Sequence, residues 1–178
     1  MRLSLIPLVF CASTAWADCP PVADRQSELD ALVAEANAAP NEAAGRAASG
    51  QMWEIWLDAP DEAAQALLDE GLVATRVSDY SRAISVYDRL IAYCPDYAEG
   101  YNQRAFAYFL SGSFERAAAD LGDALAREPR HVGALTGLGR TLLQLGREEE
   151  AQIWFKKAVA LNPWLSERQF IKDPSQEL

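Results

Sequence analysis

Between residues 64 and 165 the chain repeats one order of apolar and small side chains. Leu135, Leu138, Gly139 and Leu142 are followed by Ala151, Phe155 and Pro163. One unit earlier stand Tyr101, Ala105 and Tyr108, then Ala117, Leu121 and Pro129, and before them Leu67, Gly71 and Ala74, then Ala83, Tyr87 and Pro95. The three prolines are 34 residues apart, and an alanine stands twelve positions before each. Spacings of three and four put these residues on one face of a helix. Each unit therefore predicts two helices: a first one carrying the small residue Gly71, Ala105 or Gly139, and a second carrying Ala83, Ala117 or Ala151. The small residues let the paired backbones approach, and the larger ones fill the space between them. Each proline ends the second helix, because it has no N–H to donate and disfavours helix in the residue before it. Turns are expected at 77–80, 111–113 and 145–147, where Gly112 and Gly146 can supply a left-handed cap. Glu70 and Arg104 break the pattern at the position that Leu138 occupies in the last unit.

A 34-residue period with these residue types resembles the tetratricopeptide repeat family. That resemblance implies an all-α, right-handed helical-hairpin solenoid with three units at 64–97, 98–131 and 132–165. Upstream, 18–63 reads as a degenerate N-terminal hairpin, with helices over 27–39 and 42–57 separated by Pro40 and Asn41. Pro60 lies 35 residues before Pro95, and Ala48 lies twelve before Pro60. Met52, Trp53, Ile55 and Trp56 are expected to bury against the first full repeat; an exposed aromatic patch is the alternative. Downstream, 166–178 divides into a short capping helix over 166–171 and a tail from Asp173, since the end unit of a solenoid needs its apolar face covered.

In the family that the chain resembles, the first helices of the units line a concave groove that takes a peptide or helix of another protein. Carried over by repeat position, the groove residues are Leu68, Leu72 and Arg76, then Asn102, Phe106 and Phe109, then Thr136, Arg140 and Leu143. Arg76 and Arg140 offer planar donor forks suited to a carboxylate; ion pairs within the chain are the alternative use for them. A subgroup of the family clamps a partner's C-terminal carboxylate with Lys, Asn and Arg. Here Leu68, Leu72, Gly133 and Gly137 occupy positions where those groups would stand, so that clamp is not expected. The segment from Tyr93 to Arg104 also resembles one in exported repeat proteins of Gram-negative bacteria.

The ends and the charge refine this picture. Arg2, an apolar run over 3–12 and the small-residue triplet Ala15-Trp16-Ala17 read as a signal peptide over 1–17, cleaved after Ala17. The run is far shorter than the roughly 20 residues that cross a bilayer, so a periplasmic location is expected, with no stable membrane insertion after cleavage. Cys11 is lost with the signal, leaving Cys19 and Cys94. An even pair in an oxidising compartment invites a disulfide; two unconnected thiols are the alternative. The formal charge is −10 over 178 residues, and the basic residues are dispersed. Nucleic acid is therefore excluded as a partner, because binding a phosphate backbone depends on clustered cations.

Little in the chain suggests chemistry. His131 is the only histidine and is expected to be solvated in the turn after Pro129. One imidazole supports neither a triad nor a three-histidine zinc site. Asp120 and Asp123 share a helix face, and Glu148 to Glu150 open a helix, both most simply as solvated surface. No glycine-rich phosphate loop, G-x-S-x-G or H-E-x-x-H occurs. The sequence thus predicts a non-enzymatic interaction module or assembly adaptor with no cofactor or metal, its partner another protein or peptide. A peptide or small-ligand receptor built around Tyr101, Phe106 and Phe109 is the second reading, and an enzyme of unrecognised chemistry the residual one.

Overall fold

The computed structural model describes residues 18–172, so the expected signal peptide and the tail from Asp173 lie outside the described residues. Eight α-helices account for most of the described residues, with no strand among them: α1 (Gln26–Ala38), α2 (Glu42–Leu57), α3 (Glu62–Arg76), α4 (Tyr80–Tyr93), α5 (Ala98–Leu110), α6 (Phe114–Arg127), α7 (Val132–Gln144) and α8 (Glu148–Leu161). Several are started by side chains that accept an otherwise unpaired backbone N–H: Asn41 from Ala44, Asp61 from Ala64 and Asp79 from Arg82. Among the described residues no helix is long and apolar enough to cross a membrane.

The helices α3 to α8 form three antiparallel hairpins stacked in order, α4 on α5 and α6 on α7. The small residues work as the sequence implies. A Cβ on Gly139 would stand 2.6 Å from the Phe155 ring, and one on Gly71 would collide with Tyr87. Ala83, Ala105, Ala117 and Ala151 are all fully buried. Gly112 and Gly146 turn the second and third hairpins with φ of 77° and 71°, and Ser78 takes the same left-handed conformation in the first at φ 62°. Glu70 and Arg104, the two departures from the apolar pattern, tie neighbouring helices electrostatically. Glu70 pairs with Arg82 and Arg89 of α4, and Arg104 with Asp88 of α4 and Asp120 of α6. The capping segment is a short 3₁₀ turn, Ser166–Phe170, and not an α-helix; Phe170 lies against Phe155 at 5.4 Å between ring centroids.

The N-terminal hairpin does not stack on α3 as a further repeat. α1 and α2 pack on each other, on α8 and on α5, and meet the turns between units. Every residue that precedes a repeat proline holds this segment. Cys94 is disulfide-bonded to Cys19, Glu128 accepts from Gln26 at 2.7 Å, and Asn162 donates to the Gly45 carbonyl at 2.8 Å and to Ser49 at 2.7 Å. The residues two positions after those prolines face it as well: the Tyr97 hydroxyl donates to the Trp56 carbonyl at 2.6 Å, His131 stacks on the Trp56 ring, and Leu165 packs on the hairpin core of Leu29, Leu32 and Met52. The expectation that Trp53 and Trp56 bury against the first repeat is therefore corrected. Their complements are one-off features of the later units: the bare backbone of Gly133 under Trp53 and the imidazole of His131 beside Trp56. Gly45 likewise leaves room for the Trp164 ring.

Candidate functional site

The inner faces of α5 and α7 enclose a cavity of about 580 Å³. α5 contributes Asn102, Phe106, Phe109 and Leu110, α7 contributes Thr136, Gly137 and Arg140, Leu72 comes from α3 and Leu121 closes the floor. These residues share one side because both helices place them at steps of three or four. Phe106 is 49 % exposed and Leu110 38 %, unusual for such side chains in a well-packed array. Among the described residues Arg140 is the only charged one on the wall. Its half-exposed guanidinium reaches the carboxylate of Glu167, a side chain only 13 % exposed, at 3.4 Å, and lies 6.0 Å from the Phe170 ring centroid.

Six of the nine residues assigned to the groove by repeat position stand on this wall: Leu72, Asn102, Phe106, Phe109, Thr136 and Arg140. The other three do not. Leu68 is fully buried, because Leu57 and Ala59 of the segment entering α3 pack on the same core. Leu143 packs on the core shared by α6, α7 and α8. Arg76 is exposed on α3 outside the cavity, with no ion pair among the described residues. The wall also holds residues that repeat position missed, chiefly Trp53, which enters from α2. Its signal was the aromatic cluster at 52–56, read as core of the wrong neighbour.

Beneath the wall lies a buried polar network. The Glu99 carboxylate is 1 % exposed and accepts from Gln103 at 2.5 Å, from Asn102 at 3.1 Å and from His131 Nε2 at 2.7 Å. His131 Nδ1 accepts the Ala134 backbone N–H at 3.2 Å, so Nε2 carries the ring proton and donates to Glu99. This corrects the expectation of a solvated histidine: His131 is fully buried, stacked on Trp56 at 4.1 Å and edge-on to Trp53 at 5.5 Å. Burial pushes the nearby Tyr97 hydroxyl well above the usual tyrosine range, and the charge of Glu99 adds to the rise. Of the carboxylates weighed for chemistry, Asp120 is held by two hydrogen bonds from Arg104, each 2.7 Å. Its grip is the main reason that the Arg104 guanidinium is raised above its ordinary value. Among the described residues no group of three His, Cys, Asp or Glu side chains is arranged as metal ligands would be.

Stacked helical hairpins with an open, partly aromatic inner face define a solenoid built to present a surface. Models of the tetratricopeptide repeat family match residues 71–136 and 132–163, and the chain belongs to that family. A TPR repeat-containing protein of Rhizobium etli is 39 % identical over 67 residues, 38 % of this chain and 33 % of that protein. The photosystem I assembly protein Ycf3 of Prochlorococcus marinus is 30 % identical over 99 residues, covering 50 % of this chain and 57 % of its own length. The first TPR domain of Spaghetti (RPAP3), solved bound to an HSP90 peptide, superposes with a TM-score of 0.58 at 25 % identity, over 60 % of this chain and 89 % of that one. The match thus spans a third of the Rhizobium protein and little more than half of Ycf3.

Proposed function

We propose that the chain is an exported interaction module or assembly adaptor that holds a segment of another protein in the groove between α5 and α7. The observation that carries this reading is the wall itself. Exposed Phe106 and Leu110, with Phe109, offer apolar area, and in a chain of formal charge −10 the one charge that the described residues place on the wall is the cation Arg140. A partner segment with an aromatic or aliphatic side chain next to a carboxylate is its complement. The exposed Arg76 adds a second cation on the first helix of the array. Peptide binding by the RPAP3 domain and the assembly role in the name of Ycf3 are consistent with this reading. The Cys19–Cys94 bond suits an oxidising compartment and so supports export to the periplasm.

Site-specific crosslinking from position 106 in the producing cell tests the proposal. A single stoichiometric protein product that is lost when Arg76 and Arg140 are both changed to Glu supports it. The same double charge reversal is expected to weaken a partner at least about tenfold, since each buried or half-buried charge pair lost costs roughly 1.5–3 kcal/mol. Helicity should stay unchanged, because Arg76 is exposed, and the melting temperature should fall only slightly, through the lost contact of Arg140 with the partly buried Glu167. Unaltered crosslinking in that variant removes the groove proposal. A cavity of about 580 Å³ is also the size of small-molecule pockets. A bound metabolite in native mass spectra, with no protein product, would favour the receptor reading.

A further inference from the structure

The N-terminal hairpin, which lies outside the repeats, supplies one end of the groove. Two cavities flank the Trp53 indole, and both are walled by Trp53, Gly133 and Thr136. One is the groove cavity; the other, about 210 Å³, lies beneath α2 between Ser49, Met52, Leu165 and Glu167, the carboxylate that Arg140 would exchange for a partner's. The indole is the partition between them, and it is fixed on several sides. A Cβ at Gly133 would stand 2.5 Å from its ring, His131 meets it edge-on at 5.5 Å and Trp56 at 5.6 Å. α2 itself is anchored by Tyr97 at one end and Asn162 at the other.

Arg140 stands two helical turns along α7 from Gly133, a separation of about 10 Å at 1.5 Å per residue. Among the described residues the one cation of the wall and the indole beside Gly133 therefore stand at two ends of the same helix face. The Trp53 ring stands between the two cavities, so a second ring in line with the first would need the room that the indole occupies. We propose that Trp53 is the specificity-determining end wall of the partner site. It admits a single aromatic side chain of a partner polypeptide, whose adjacent carboxylate pairs with Arg140. This inference rests on the groove being the partner site. The aromatic preference follows from the ring edges and faces of Phe106, Phe109 and Trp53, and the anionic neighbour follows from Arg140. A polypeptide lying in the groove stops at Trp53 and does not continue to the edge formed by the inter-repeat turns.

The test uses two capped dipeptides, acetyl-Phe-Asp-amide and the same compound with 4-phenylphenylalanine in place of phenylalanine, titrated by ligand-observed NMR into the oxidised protein. The unaltered protein is expected to prefer the single-ring probe. Trp53→Ala joins the two cavities and should reverse that preference by about tenfold, the scale on which pockets discriminate by size. Trp53→Phe keeps a smaller ring in place and should lie between, which covers the case in which the alanine variant does not fold. An unchanged order of preference in both variants, with both probes still lost in Arg140→Glu, overturns the end-wall role alone. No binding of either probe to the unaltered protein overturns that role together with the partner-site reading.

Discussion

Replacing Cys19 by Ser and Cys94 by Ala together should remove about 4 kcal/mol of stability, the chain-entropy value for closing so long a loop. The bonded residues are 75 apart in sequence, so the bridge constrains the whole stretch from the N-terminal lead through α4 in the unfolded chain. Cys94 is buried among Leu90, Tyr97 and Ala64, hence alanine at that position, since a serine hydroxyl there would lack a partner. The loss should be uneven across the molecule. The hairpin core of Leu29, Leu32, Ala36, Met52 and Trp56 is separate from the core of α5 to α8 and meets it through few residues, Val132 and Leu165 among them. Amide exchange in α1 and α2 should therefore quicken much more than in α6 and α8. Urea unfolding of the double variant and of the reduced parent should coincide. Equal stability of oxidised and reduced parent would show that the bridge does not form, or that the hairpin docks without its help.

The repeats were open to sequence reasoning and the hairpin's seat was not, for a physical reason. The contacts within each hairpin recur with the period of the chain. Gly71 against Tyr87 and Gly139 against Phe155 are the same small-to-large pairing seen twice, so spacing alone reveals it. The seat of α1 and α2 is made of pairings that occur once each: Gly45 with Trp164, Gly133 with Trp53, His131 with Trp56. No period encodes these, and a degenerate hairpin at the start of an array is naturally placed on its sequence neighbour α3. A signal was nevertheless present. Cys94, Glu128 and Asn162 share one repeat position, as do Tyr97, His131 and Leu165, and each set varies where a turn between units asks for nothing special. Both sets face the same intruding segment. Six of the groove residues were legible because helix periodicity places them; Leu68 was misplaced because the segment that covers it belongs to no repeat.

Glu99→Ala should cost about 3–5 kcal/mol, because each buried donor left without its acceptor costs roughly 1–3 kcal/mol. Three donors converge on that carboxylate, from Asn102, Gln103 and His131 Nε2, and none of the three residues is more than 8 % exposed. Alanine leaves all three without an acceptor in a site that water reaches poorly. Glu99→Gln keeps one carbonyl oxygen but turns the other acceptor into a donor, so it should cost roughly half as much, about 2 kcal/mol. The difference between the two variants separates the network from mere packing, because a side chain that only fills space would be replaced by glutamine at almost no cost. The effect should also travel to the groove. Glu99 sets the His131 ring, His131 stacks on Trp56 and meets the edge of Trp53, and Trp53 ends the cavity. Tryptophan emission should therefore shift to the red in Glu99→Ala well before global unfolding, and stay near that of the parent in Glu99→Gln. A glutamine variant as stable as the parent, with no change of emission in Glu99→Ala, would mean that the carboxylate holds neither the histidine nor the wall.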